Sequence, residues 1–453
     1  MSFLSDQARQ TLAANDLGHY TIPRKMLYPF QWNWDSCFAA LGFAAYDEKR
    51  AWVELDSLFE GQWDNGMVPH ILFRSEPATT YCPGPDHWHA RNPAGIETSG
   101  ISNPPVAAHV IRQLCENTGD TEQSRHKART FIPKLFKWHQ WWHEKRDPDM
   151  SGLVFSYHPW ETGRDNSHDW SAILKHITKE GLQPYERKDT ALIPANQRPD
   201  QSEYDAFMAL VQQARSLDYD DMALYEQSYF KVADTTINFI LSRANQDLLW
   251  LIDFIGGAAF SAERKVIEKR IALSSGALQR LWNDAEQAFQ PLDFSPCTGA
   301  RGRHTGGTSS AAFLSLFAGN LRPDQIDALS GLIDRWHKTV FLLPSYAPDG
   351  AGFSPEKYWM GPVWAIMNYM IYHGLRTCGR HQQAANIATD TSLLMKKGGF
   401  AEYYNPIDGA PLGGSGFSWT AAMWLHWLEP LQNSLSDNEA QRLLYKAHQH
   451  NKS

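Results

Sequence analysis

Apolar residues recur at the three-to-four-residue spacing of amphipathic helices along nearly the whole chain. The pattern predicts helices over about residues 34–61, 105–116, 123–145, 202–215, 222–243, 262–288, 309–318, 323–339, 361–376, 382–397, 418–431 and 437–448. Proline marks several starts, in Asn103-Pro104-Pro105, Arg322-Pro323-Asp324 and Gly361-Pro362, where a helix loses no hydrogen bond to it. Strand-like alternation is scarce. A dozen helices in succession suit either a solenoid or a closed barrel of helix pairs. A solenoid needs a repeat of fixed period, and none is found. At 453 residues the chain exceeds the usual size of one compact core, so two domains or one large toroid is expected.

The segments between the helices are very unequal, and they hold most of the aromatic and polar clusters: residues 28–35, 61–70, 81–103, 157–170, 196–204, 358–364 and 401–419. Function concentrates on loops held by a rigid scaffold, so an active site at one end of the molecule is expected. The stretch from about Ile71 to Ser102 is long, aperiodic and rich in Pro, Gly, His and aromatic residues, the profile of a lid or binding loop.

Composition sharpens this. With 18 Trp, 17 Tyr and 22 Phe, many beside polar residues as in Gln31-Trp32-Asn33-Trp34-Asp35, the chain has the means to line a carbohydrate cleft; packing of a large core is the plain alternative. A net charge of −8 without a basic stripe argues against nucleic acid as a partner. Five widely spaced cysteines form neither a disulfide framework nor a zinc motif. The N-terminus does not read as a signal peptide, and no apolar run reaches membrane-spanning length. A cytoplasmic enzyme with a small-molecule substrate is the expectation; the number of subunits is not legible.

Cleavage of a glycosidic bond uses two carboxyl groups. Three lie in aromatic, glycine-bearing segments: Asp165 in Trp160-Glu161-Thr162-Gly163-Arg164-Asp165-Asn166-Ser167, Glu402 in Gly399-Phe400-Ala401-Glu402-Tyr403-Tyr404, and Asp35 in Trp32-Asn33-Trp34-Asp35. Each also has a structural reading. Asp165 suits an Asx-turn, Glu402 a surface loop, and Asp35 a helix N-cap. His87-Trp88-His89 has the wrong spacing for two metal ligands on one helix face, and Arg301-Gly302-Arg303-His304-Thr305-Gly306-Gly307 lacks the lysine of a phosphate loop, so neither metal nor cofactor is expected.

Five ordered blocks carry a resemblance: Phe30 to Ser36, Gly61 to His70, Thr98 to Ile101, His158 to Ser167, and Glu402 to Pro406 with Phe417 to Thr420. They resemble glycoside hydrolase family 63, nearest its short bacterial mannosylglycerate and glucosylglycerate hydrolases. The resemblance implies a single all-α (α/α)6 barrel over residues 1–453, an inverting mechanism on a small α-glucoside or α-mannoside, Asp165 as general acid and Glu402 as general base. Trp34, Asp35, Gln62 and Trp160 match sugar-subsite positions, and Tyr358, Trp359 and Trp364 an aromatic wall. Arg198 and Tyr204 match residues that hold the aglycone. Trp32, Trp63 and Trp419, inside matching blocks, and Tyr81 on the long loop complete the expected binding set. Two departures bear on substrate identity: His168-Asp169-Trp170-Ser171 follows Ser167 where the family commonly has Pro and then Trp-Asp, and the block after Ser99-Gly100 reads Ile101-Ser102-Asn103-Pro104 where related enzymes often have Gln.

Inversion requires Asp165 to be protonated and Glu402 ionised, with their carboxyls about 6.5–9.5 Å apart. Burial should raise the Asp165 pKa, so Arg164 is expected to point away from it. His87 and Trp88 are expected to join Tyr81 over the aglycone. The rivals are an α-glucosidase acting on glucosylglycerol or short oligosaccharides, a sugar isomerase using His158 and His304, and a binding protein that has lost catalysis.

Overall fold

The computed structural model describes residues 3–74 and 81–434; the helix expected at 437–448 lies outside the described residues. Six helices pack side by side in a closed ring. In order around it they are Asn33–Ala44, Ala107–Thr118, Thr235–Phe254, Leu314–Ala318 with its 3-10 lead-in from Ser310, Ala365–Thr377, and the helix from Ser418, which contacts the first again. Among the described residues a second helix lies outside five of the inner ones. Glu48–Glu60 packs on the first, Glu122–Lys145 on the second and Ser261–Ala277 on the third; His381–Gly398 packs on the fifth and is itself flanked by Pro323–Trp336. The sixth inner helix is covered by Phe3–Asn15, so the N-terminus closes the toroid against its C-terminal end. This is the expected α/α barrel.

Apolar periodicity runs straight through three chain reversals. The stretch 34–61 is two helices, broken where Asp47 accepts the amide of Arg50 as an N-cap. The stretch 222–243 is broken by the strand Val232–Ala233, after which Asp234 caps the next helix through the amide of Ile237. The stretch 262–288 ends as helix at Ala277 and continues into a small hairpin, Trp282–Asn283 with Ala288–Phe289. The N-terminal helix escapes the periodicity because its apolar stripe is short: only Ser5, Ala8, Leu12 and Asn15 are buried.

Large side chains fill the ring. Phe38 is fully buried against the ring of Tyr369, and such burial contributes about 1.5–3 kcal/mol per side chain. A polar network crosses the same interior: His109 Nδ1 lies 3.1 Å from Asp247, its Nε2 3.2 Å from the Tyr369 hydroxyl, and that hydroxyl 3.2 Å from His426. It joins four of the six inner helices, with every one of these groups partnered, as burial demands. A second apolar cluster, including Trp88, Trp160, Trp170 and Phe207, lies under the loops at one end. No described helix is long and apolar enough to cross a membrane.

The inner helices begin at that end. Trp34, Asp35 and Trp419 sit in first turns there, and Asp234 and Ser309, just ahead of two other inner helices, bond the same arginine, Arg164. Their N-terminal dipoles therefore point toward whatever the loops enclose.

Candidate active site

The loops enclose a void of about 790 Å³, counting the part open to solvent. One carboxyl in its wall is Asp165. Its loop is shaped by Gly163, which has φ +70° and packs so closely on Trp34 that a Cβ would lie 2.4 Å from the indole. Arg164 turns away from the cavity, as expected. Its guanidinium is buried among Asp169 at 2.6 Å, Asp234 at 2.8 Å, and the hydroxyls of Thr236, Ser167 and Ser309. That ionic cluster ties the Asp165 loop to two inner-helix starts. Asn166 accepts the amide of Trp359 and Trp170 donates to the Asp165 carbonyl, so both flanks of the aspartate are fixed. Burial pushes the Asp165 carboxyl up to about 6, against the pull of Arg198 and a hydrogen bond from Trp160.

Glu402 lies in the strand Ala401–Tyr404, paired antiparallel with Pro411–Ser415. The register shifts between Ala401 and Tyr403, leaving Gly413 and Gly414 opposite Glu402, a bulge of the kind that re-aims a side chain. Oε1 accepts from the hydroxyls of Tyr28 at 2.9 Å and Tyr358 at 3.2 Å. Oε2 lies 3.7 Å from Arg198 Nη1 and has no hydrogen bond. Burial lifts Glu402 to about 7, opposed first by Arg198 and then by the two tyrosines. Both carboxyls are thus raised, and the order differs from the simple expectation of a high donor and a low base: Glu402 is buried more completely than Asp165, which faces the cavity.

Asp35 is a third carboxyl in the wall. It sits within the first turn of its helix instead of capping it, and burial together with Glu402 raises its pKa well above the usual range. Arg198 is the cation of the site. It is 5% exposed, donates from Nε to Asp189 at 3.0 Å and from Nη1 to Tyr28 at 2.8 Å, and lies over the Tyr358 ring at 4.3 Å.

The cavity gathers most of the expected residues. Trp32, Trp34, Asp35, Trp160 and Trp419 line it, as do Tyr81, Arg198, Tyr204, Tyr358 and Trp359 with the two carboxyls. Three expected residues do not line it. Gln62 directs its amide to the carbonyls of Gly66 and Lys134, bracing a turn. Trp63 packs edge-on to Tyr219 and donates to Thr98. Trp364 is one layer behind the wall, stacked 3.9 Å from Trp359 and 4.6 Å from Tyr403, so it supports the surface without reaching it. Of the long segment 71–102, Tyr81 and Cys82 reach the cavity, while Trp88 is fully buried in the apolar cluster below. The segment is pinned by strand pairs at Ile71–Leu72, Ala90–Arg91 and Glu97–Thr98 and by the Tyr204 hydroxyl donating to the Cys82 carbonyl.

Sequence reasoning missed Tyr28, His70, Asn103 and Asp189 in the wall. His70 ends a matching block, Tyr28 opens the aromatic segment 28–35 and Asn103 falls within a noted departure, so a signal existed; Asp189, in an undistinguished loop, had none. His70 is neutral, its pKa lowered by burial to about 3, and its ring lies against Trp160. Neither histidine of the isomerase reading reaches the cavity: His158 bonds the amide of Trp160 and the carbonyl of Phe207, and His304 lies by the Arg280 carbonyl. Among the described residues no group of three or more His, Cys, Asp or Glu is arranged to hold a metal ion.

An α/α toroid whose loops enclose two buried carboxyls among tryptophans and tyrosines has the form of a glycoside hydrolase. The family profile described as the mannosylglycerate hydrolase MGH1-like glycoside hydrolase domain matches residues 28–420, and the chain belongs to this family. Mannosylglycerate hydrolase MGH1 of Selaginella moellendorffii is 41% identical, over 93% of this chain and 85% of its own. Glucosylglycerate hydrolase of Mycolicibacterium hassiacum is 32% identical, over 94% and 97%. The crystal structure of the family 63 mannosylglycerate hydrolase of Thermus thermophilus with Tris and D-glycerate superimposes with a TM-score of 0.88 at 40% identity, covering 94% of this chain and 99% of that one. The protein is an inverting α-glycoside hydrolase of family 63.

Proposed function

We propose that the substrate is a small α-mannoside or α-glucoside whose aglycone carries a carboxylate, of the mannosylglycerate or glucosylglycerate type. The observation that carries this is the buried Arg198 guanidinium in the cavity wall, on the side shared with Tyr204 and Tyr81. A fixed arginine fork recognises carboxylates, and the relatives named for glycerate glycosides agree with it. In this reading Asp165 gives its proton to the glycosidic oxygen as the bond to the anomeric carbon breaks. Glu402 removes a proton from the water that attacks the opposite face, and the product appears with inverted configuration. The tryptophans and Asp35 hold the sugar, and Asn103 and His70 complete the polar part of the same wall.

Segment 71–102 is read as a binding loop of a single catalytic domain, with Tyr81 as its contact. Tyr81→Ala should raise KM, and an unchanged KM refutes that role. The five cysteines are unpaired, which supports action in the reducing cytoplasm.

A neutral aglycone, as in glucosylglycerol or a short oligosaccharide, is the second reading, favoured by the fact that Asp189 already neutralises Arg198. Mannosylglycerate, glucosylglycerate, glucosylglycerol and short α-gluco-oligosaccharides assayed side by side, with the released anomer followed by NMR, decide the matter. Preference for the neutral glycosides overturns the carboxylate reading.

A further inference from the structure

Arg198 does not hold its place alone. The carboxylate of Asp189, 9% exposed, accepts from Arg198 Nε at 3.0 Å and takes Arg187 as a two-point fork, Nε at 3.0 Å and Nη2 at 2.8 Å. Arg187 in turn lies 4.3 Å over the ring of Tyr204, which stacks on Tyr185. Charges therefore alternate from the loop into the cavity: Arg187, Asp189, Arg198, Glu402. The next anchor is at the base of the same loop, where Gln197 accepts from Tyr403 at its carbonyl and from the amide of Gly413 at its side chain. Arg198 is thus gripped from the loop side by a group that has no other visible task in the reaction.

We propose that Asp189 is a positioning residue: by holding one edge of the Arg198 guanidinium it aims the opposite edge into the space shared by Asp165, Glu402 and the aglycone. Engaging Nε fixes rotation about the end of the side chain, the freedom an arginine must lose before it can read a carboxylate. The proposal rests on the carboxylate-bearing substrate for its effect on KM, but its effect on proton chemistry does not need that reading. Arg198 is the largest influence holding both Asp165 and Glu402 down against burial. The other charged or titratable groups around this cluster are Asp35, Arg24, Tyr28, Tyr358 and Tyr403 beside the carboxyls, and Tyr81, Cys82 and Tyr204 beside Asp189. Of these, Tyr403 also hydrogen-bonds the Arg198 side chain, while the bond at Nε is the one to Asp189.

The test is a double-mutant cycle of Asp189→Asn and Arg198→Lys in the full chain, read by kcat and KM on a carboxylate-bearing and a neutral glycoside and by the pH profile of kcat/KM. Asp189→Asn keeps the shape and removes the charge. It should raise KM for the carboxylate-bearing glycoside about tenfold or more relative to the neutral one, and move the alkaline limb upward by about half a unit or more as Arg198 loses its aim at Glu402, while the acid limb moves less, because Asp189's own charge raises Asp165 and is lost with it. Added to Arg198→Lys it should change little further, because it acts through the same group. Additive effects, or an unmoved alkaline limb with an unaltered KM ratio, overturn the proposal. If Asp189→Asn does not fold, Arg187→Gln, which strips the outer support of Asp189, should show the same limb shift in weaker form, and its absence counts against the proposal equally. A wild-type enzyme that does not prefer the carboxylate-bearing glycoside refutes the substrate reading alone and leaves the limb test standing.

Discussion

Replacing Tyr28 by Phe removes one hydroxyl from the Glu402 carboxylate and leaves the ring, which packs edge-on to Trp32 and Phe417, in place. That hydroxyl donates to Glu402 at 2.9 Å and accepts from Arg198 at 2.8 Å. A hydrogen bond to a charged group is worth about 1.5–3 kcal/mol, or about 1–2 pK units of preference for the ionised form. Glu402, at about 7 in the native enzyme, should therefore rise to roughly 8–9. In the proposed mechanism inversion needs Asp165 protonated and Glu402 ionised. With Asp165 at about 6, the one-unit gap leaves about a tenth of the singly protonated pair in that arrangement. In Tyr28→Phe the fraction drops to about a hundredth or a thousandth, so the plateau of kcat/KM falls about 10–100-fold. Loss of the second proton also moves up, so the alkaline limb, near 7 in the native enzyme, shifts by about 1–2 units while the acid limb near 6 stays. The assay is kcat/KM from about pH 5 to 9.5 for both enzymes. A fall in rate with the alkaline limb unmoved, or moved toward acid, refutes the reasoning.

Asp165→Asn and Glu402→Gln should each lower kcat by about 10²–10⁴ on a natural glycoside. An aryl glycoside, whose leaving group needs no proton, should restore much of the rate to the first variant and none to the second; rescue of both contradicts the assigned roles. Gly413, with φ +70°, leaves no room for a Cβ, which would lie 2.5 Å from Glu402 Oε2; Gly399, with φ +65°, has open space. Gly413→Ala should therefore lose most activity while Gly399→Ala keeps it and costs about 1 kcal/mol in denaturant titration, and equal activities refute the crowding argument. Burial lowers His70, His143 and His158 to about 3 and His139 and His426 to about 4. Groups depressed below an unfolded value of about 6.5 give their full stability above that pH and lose it as the pH falls toward their folded values. Stability should decline steeply below about pH 6, and His143→Gln should flatten the slope by about 1.4 kcal/mol per pH unit between about pH 6 and 4; an unchanged slope in urea titrations contradicts this.

The helical ring was legible because its helices carry continuous apolar stripes, and position alone sets the face of a helix. The breaks at Asp47 and Asp234 were written as N-caps but masked by apolar residues on both sides. The pairing of Phe3–Asn15 with the last inner helix was invisible, since nothing local in either segment specifies a partner across the whole chain.

At the site, the cast was legible in residue order: two carboxylates in ordered blocks, a run of tryptophans, and an arginine with a nearby tyrosine. Tertiary structure decided who touches whom. It placed Trp364 behind Trp359 and sent Gln62 and Trp63 to structural partners. It brought Tyr28 and Asp189, far apart in sequence, to either side of Arg198. It also decided the proton balance, raising Glu402 as well as Asp165. The physical reason is the same in each case. A residue's type is local, but its solvent exposure and the charges within a few ångströms are set by segments that meet only when the ring closes, and those set its pKa and its role.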